Sequence, residues 1–380
     1  MKIVTIIGAR PQIIKAAAIS RAIKTHFAHQ IKEIIVHTGQ HYDENMSAIF
    51  FQEMGIPPAD YNLSVGSGNH GAQTAKMLDG VESILLHENP DALLVFGDTN
   101  STLAGALAAV KIHIPVIHIE AGLRSFNKSM PEEINRIVCD HASTLLFTPT
   151  EQGMQNLSKE GFSLKNNTKA TLNSPRVFKT GDIMYDNSLY FAKISAKRTS
   201  IVTTLNLDEG DFILCTVHRD SNTDQRTNLE NIVRGLLRIQ QISEQKIVLP
   251  LHPRTKKKME ELLPTELFKT LHENPYVFII EPAGFLDMIA LESLCSMVIT
   301  DSGGVQKEAF FFEKPCIILR EQTEWVEIVS NGNALLVGSD EEKLVTAYQK
   351  LRSTKDFTYP AFFGDGHAAE EICRLMLQYL

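Results

Sequence analysis

Three carboxylates stand where a chain of this pattern can gather acids around one substrate. Asp98 follows an apolar run, Glu120 closes the next one, and Glu132 lies just inside the stretch PEEINR, a helix opened by Pro131. Acids at the ends of neighbouring strands come close, and mutual repulsion raises one pKa toward that of a proton donor. Glu132 would lie near a positive helix end, which favours a negative charge. The same residues also fit separate solvated charges, and spacing alone leaves that open. In the first turn, IIGARPQIIK, Gly8 ends a strand and Pro11 suits the first position of a helix. Arg10 and Lys15 there set two cations at the carboxyl end of a strand, where open α/β sheets bind ligands and helix amides favour anions.

A second cluster lies in TDSGGVQKEA. Asp301 and Ser302 stand at a strand-to-helix junction, Gly303 and Gly304 let a ligand approach the backbone, and Glu308 one turn on can accept both hydroxyls of a ribose. An ordinary Ser-capped helix with a solvated Glu is the plainer alternative. His37 and His41 are four apart but straddle a strand end and a Gly turn, so metal ligation is not expected, and no metal site is assigned. His218 in TVHRD and His252 in LHPRT follow later strands. The first turn is not a G-x-G-x-x-G, and there is no G-x-x-x-x-G-K-[ST], no H-E-x-x-H and no G-x-S-x-G, which argues against a nicotinamide site in that turn, a P-loop, a zinc protease or a covalent triad.

The elements that must carry these groups show as short apolar runs at 3–7, 34–37, 93–96, 116–119, 145–147, 177–180, 213–217, 247–249, 277–280, 298–300 and 316–319. Most are followed by Gly or Asp and a helical pattern. That alternation predicts an α/β protein with parallel strands buried on both faces. The segments around Asp98 and Asp301 share one order: strand, Asp, hydroxyl residue, helix, Pro, strand. This supports two similarly wound lobes, 1–184 and 185–361, with the hinge near 184, while the last helix, in 362–380, could pack on either lobe.

The 380 residues are 43% hydrophobic and 22% charged, enough for a sizeable core. A net charge of −8 gives no field to attract nucleic acid, so any phosphate partner is held locally. Five cysteines without a C-x-x-C fit reduced thiols in a cytoplasm. No apolar run is long enough to span a membrane.

With GARPQIIK, HTGQH, GDTNSTLAG, IEAGLRS, PEEINR, FTPT, TVHR, LHPRT, TDSGGVQKEA and TEWVE in order, nearly end to end, the chain resembles the non-hydrolysing UDP-N-acetylglucosamine 2-epimerases. GARPQ, LHPRT, TEWVE and the ending GDGHAAE look most like the branch acting on UDP-2,3-diacetamido-2,3-dideoxyglucuronate. The resemblance implies a GT-B fold of two Rossmann-like parallel-sheet lobes with a central cleft holding a UDP-sugar, the C-terminal helix in 362–380 packing back on the first lobe, and a homodimer. It also implies a reaction. UDP leaves C1 as the C2 proton is lost, the glycal is reprotonated on the opposite face, and UDP re-adds, with no cofactor consumed.

By that resemblance Lys15, Asp98, Glu120 and Glu132 match catalytic positions. Arg10, His218 and the helix start Ser302, Gly303 and Gly304 match those holding the diphosphate. Glu308 matches the ribose ligand, and Phe285 is placed with the substrate-binding positions. The common HRREN stretch is here His218-Arg219-Asp220-Ser221-Asn222, which removes residues that form a second, activating site in many bacterial members. A uronate substrate needs a further cation, for which Lys128 and Arg124 are the candidates.

Overall fold

The computed structural model describes residues 1–40, 55–165 and 168–380. His41 lies outside these. The chain divides into two compact units, 1–187 together with 361–380, and 188–360.

The first unit is built on a seven-stranded parallel sheet. Its strands are β1 (Lys2–Ile7), β2 (Lys32–His37), β3 (Tyr61–Asn62), β4 (Ala92–Phe96), β5 (Val116–Ile119), β6 (Leu145–Thr148) and β7 (Arg176–Lys179), in the order β3-β2-β1-β4-β5-β6-β7. β4, with the sequence ALLVF, is buried throughout, because helices cover both faces of a parallel sheet and leave no polar side. The register sets Phe96 of β4 beside Ile119 of β5, so Gly97 and Glu120 leave the sheet as neighbours.

The second unit repeats the winding with six strands: β8 (Phe212–Thr216), β9 (Lys246–Pro250), β10 (Val277–Ile280), β11 (Met297–Thr300), β12 (Cys316–Ile318) and β13 (Ala334–Leu336). Their order is β10-β9-β8-β11-β12-β13, again parallel. β11 thus holds the place in its sheet that β4 holds in the first. The eleven apolar runs of the sequence all fall on strands. β3 and β13, of two and three residues at sheet edges, are too short to show as runs. All five cysteines are buried free thiols. Among the described residues no helix is long and apolar enough to cross a membrane.

The division near 187 falls inside the helix Ile183–Arg198, not at the expected 184, because its first turn is bonded into the first unit. Asn187 donates to the Ile14 carbonyl and accepts from Arg21. Asp186 accepts the amides of Ala368 (3.1 Å) and Ala369 (2.8 Å) and so caps the last helix, Ala368–Tyr379, which packs on the helix Arg10–Ala22. Burial raises the Asp186 pKa to about 6, against the pull of those two amides.

That folded value lies above the unfolded one of about 3.9. The group therefore contributes stability below the unfolded value and loses it as pH rises through about 6. Wild type compared with Asp186→Asn should lose stability, on the order of 2–3 kcal/mol, between acid and neutral pH; denaturant unfolding of both proteins across that range checks it, and a difference independent of pH would contradict it.

Candidate functional site

In an open parallel sheet the crevice for ligands lies at the carboxyl ends of the strands where the winding reverses. In the first unit that point is between β1 and β4, and in the second between β8 and β11. The predicted residues fall at both.

Beside β1, Gly8 turns the chain into the helix Arg10–Ala22. A Cβ on Gly8 would stand 2.1 Å from Ser101 Oγ and 2.3 Å from Thr38 Oγ1, so no other residue fits this turn. Gln12, buried, accepts the Gly8 and Ala9 amides (2.9 and 3.2 Å) and donates to the Phe96 carbonyl and Thr102 Oγ1 (both 3.0 Å). It ties the end of β1 to the end of β4. Arg10 stands exposed at the first position of the helix.

Lys15, from the second turn, pairs with Glu120. Gly97 reverses the chain at a φ of +60°, and the space a Cβ would take there is 3.1 Å from Glu120 Oε2 and 3.4 Å from Lys15 Nζ. Glu120 is itself left-handed, at a φ of +69°. Asp98 pairs with Arg136, which also reaches Glu133 at 3.1 Å. The like-charge repulsion expected of Asp98 and Glu120 is thus answered locally, since each acid has its own cation. Glu132 is exposed on the first turn of the helix Pro131–Ala142.

The neighbouring Glu133 is buried and accepts the Ser125 and Phe126 amides (2.9 and 3.0 Å). Burial opposes its charge, and those amides with Arg136 hold its carboxyl below the usual range. Its role is to shape the 124–130 loop.

In the second unit Asp301 is fully buried and accepts the His218 amide (3.1 Å), the Arg219 amide (3.0 Å) and Asn222 Nδ2 (3.0 Å), with His218 Nδ1 at 3.0 Å. Burial pushes it up, but His218 and these donors hold its pKa below the usual carboxylate value. Asp301 therefore orients rather than exchanges protons. It aims His218, whose side chain is 52% exposed. Ser302 caps the helix Gly303–Phe311 through a long bond of 3.5 Å from Val305 N, with Gly303 and Gly304 in its first turn. The space above Gly304 is bounded by Ser302 Oγ at 3.8 Å and Glu308 Oε2 at 3.9 Å, which brings the proposed phosphate and ribose groups to one helix end. A pocket of about 450 Å³ at the carboxyl ends of β8, β9 and β10 is lined by His218, Pro250, His252, Arg254 and Met288 among others. In the departing stretch, Asp220 and Asp224 both bind Arg254.

For two candidates the structure narrows what they can offer. Phe285 has its ring buried, 8% exposed and edge-on to Phe191 at 5.1 Å. With its side chain packed into the core, it offers a ligand only its backbone at a helix start. Arg124 has a side chain 1% exposed and held by Asp140 and Glu160 at 2.7 Å each, so it is not available to a uronate. Lys128 is exposed on the same loop. His37 Nδ1 accepts the Gly39 amide at 2.9 Å, a structural use of that ring. Gln12, His118, Asn135, Arg136 and Asp140 also shape this end of the sheet, without standing out in the sequence as site residues. His118, a histidine inside the apolar strand VIHI, was the visible signal.

Two Rossmann-like parallel-sheet units in one chain, each presenting polar groups at its switch point, define a GT-B type α/β protein. The family model described as UDP-N-acetylglucosamine 2-epimerase matches residues 23–377. A Methanococcus maripaludis protein named UDP-N-acetylglucosamine 2-epimerase homolog is 48% identical over 377 residues, covering 99% of each chain. The UDP-2,3-diacetamido-2,3-dideoxy-D-glucuronate 2-epimerase of Pseudomonas aeruginosa is 47% identical over 377 residues, again 99% of each. The crystal structure of Methanocaldococcus jannaschii UDP-GlcNAc 2-epimerase in complex with UDP-GlcNAc and UDP is 43% identical, with a TM-score of 0.82 over 100% of both chains. The chain belongs to the UDP-N-acetylglucosamine 2-epimerase family.

Filling the space at Gly8 tests the first turn: Gly8→Ala should destabilise the protein by about 1–3 kcal/mol through overpacking against Ser101 and Thr38, read as a lowered denaturation midpoint. An unchanged midpoint would count against this geometry.

Proposed function

We propose that this protein inverts C2 of a UDP-linked 2-acetamido sugar by eliminating and re-adding UDP. The observation that carries the reading is the match over nearly the whole chain to relatives named as 2-epimerases of such sugars. The chemistry asks for it too. A C2 proton with no adjacent carbonyl is barely acidic, so its removal is coupled to departure of the C1 substituent.

In the first half-reaction the C2–H pair becomes the C1=C2 bond as the C1–O pair leaves with UDP, and the proton passes to a carboxylate. In the second, a proton is delivered to C2 on the opposite face and a diphosphate oxygen re-forms the C1–O bond. Asp98, Glu120 and Glu132 are the proton carriers, and Lys15 sets the charge of Glu120 through their pair. Arg10, His218 and the helix start at Ser302, Gly303 and Gly304 take the charge growing on the leaving diphosphate. Glu308 binds the ribose hydroxyls. The contact of the buried Asp301 with His218 Nδ1 supports this division, since it fixes the orientation of the half-exposed imidazole at the diphosphate end. On this reading the enzyme is a cytoplasmic homodimer feeding surface polysaccharide synthesis. Its five buried free thiols suit that compartment.

Incubation with UDP-N-acetylglucosamine or the diacetamido uronate in D2O should yield UDP-linked product carrying deuterium at C2. Glu120→Gln and Asp98→Asn should lower kcat by about 10²–10⁴-fold. Stoichiometric release of UDP and free sugar would replace epimerisation with hydrolysis, and a requirement for an acceptor would replace it with glycosyl transfer.

Choice between the two sugars has its own test. With Arg124 occupied, Lys128 is the loop cation left for a C6 carboxylate. Lys128→Ala should cut kcat/KM for the uronate by roughly tenfold, the value of about 1.4 kcal/mol, and leave that for UDP-N-acetylglucosamine unchanged. An equal loss on both would remove Lys128 from selectivity.

A further inference from the structure

His118 is fully buried in β5, and both of its ring nitrogens face acceptors. Nδ1 lies 2.7 Å from Asp140 Oδ1 and Nε2 lies 2.8 Å from the Gly97 carbonyl oxygen. A neutral imidazole has one donor and one acceptor nitrogen, so it would set a lone pair against one of these oxygens. A carbonyl oxygen has no proton to give. Asp140 has none to spare either, because its second oxygen meets Arg124 Nη2 at 2.7 Å and the Gly122 amide at 3.1 Å, which fit a carboxylate. Burial raises Asp140, but His118 and Arg124 hold it below the usual carboxylate value.

The Gly97 carbonyl belongs to the turn that carries Asp98. The carbonyls on either side are held as well, that of Phe96 by Gln12 and Thr102 and that of Asp98 by Asn135 Nδ2 at 2.9 Å. Of these donors His118 alone is titratable, and it stands two residues before Glu120.

We infer that His118 is a permanently protonated positioning residue, an imidazolium clamped between Asp140 and the Gly97 carbonyl that fixes the peptide from which Asp98 projects. The groups facing it agree. Burial works against the charge, while Cys139 and Asp140, both from the helix Pro131–Ala142, hold the His118 pKa well above the ordinary histidine range. Arg124 and Glu160 stand behind Asp140, and the Lys15–Glu120 pair lies at the strand end. The catalytic part of this inference rests on the proposed epimerase reading; the protonation state does not.

Neutron diffraction from crystals of the full chain, exchanged into D2O at about pH 8.5, two units above the ordinary histidine value of about 6.5, reads the ring directly. Deuterium on both Nδ1 and Nε2 is expected, and one bare nitrogen overturns the inference. His118→Asn should lower kcat for C2 exchange by on the order of 100-fold through misplacement of Asp98, with KM and the affinity for UDP unchanged. A folded variant with wild-type kcat overturns the positioning role, as does one that loses KM and UDP affinity in step with kcat. If the variant does not fold, the neutron result decides. Two deuterons on the ring in a wild-type protein that exchanges no C2 proton would overturn the proposed function and leave the imidazolium standing.

Discussion

A backbone carbonyl taken out of water must be given a donor, and the chain leaving β4 has three in succession to satisfy. Those of Phe96, Gly97 and Asp98 receive theirs from the side chains of Gln12 and Thr102, His118 and Asn135. These donors come from four separate segments, so the turn exists only when β5 and three helices have already met around it. That is why a left-handed Gly97 and a left-handed Glu120 hold their places next to each other. Leaving such groups unpaired costs about 1–3 kcal/mol each. The arrangement that aims the acids is thus also one that the fold cannot easily relax.

The second unit meets the same topological position with the opposite assignment. Asp301 follows β11 as Asp98 follows β4, each in the strand one place beyond the switch point. Asp301 is sealed and gathers donors from His218, Arg219 and Asn222. Asp98 is partly open and answers to one arginine. One acid therefore spends its charge ordering a loop, and the other keeps a face toward solvent. A duplicated pattern of strand, Asp, hydroxyl residue and helix does not imply a duplicated chemistry.

Charges in the first unit are arranged in pairs rather than as a bare cluster of acids. Lys15 pairs with Glu120 and Arg136 with Asp98. Arg124 is drawn inward by Asp140 and Glu160 and so is spent on structure. What is left exposed on that loop, Phe126, Asn127, Lys128 and Ser129, is what the loop can show to a ligand. Phe126 holds a φ of +57°, an uncommon state for an aromatic residue, and Glu133 grips its amide there.

The sequence by itself determined the parallel α/β architecture, eleven of the strands, the family, and the acids and cations at the strand ends. Apolar runs and glycine turns are local signals, and they survive without knowledge of neighbours. Which cation meets which acid was decided only by the tertiary structure, as were the burial of Arg124 and the inward turn of Phe285. His118 shows the reason most clearly. Its neighbours in VIHI say only that it is buried, while its two acceptors lie 21 and 22 residues away along the chain. A proton shared among three segments is a property of their meeting, and no one of them carries it alone.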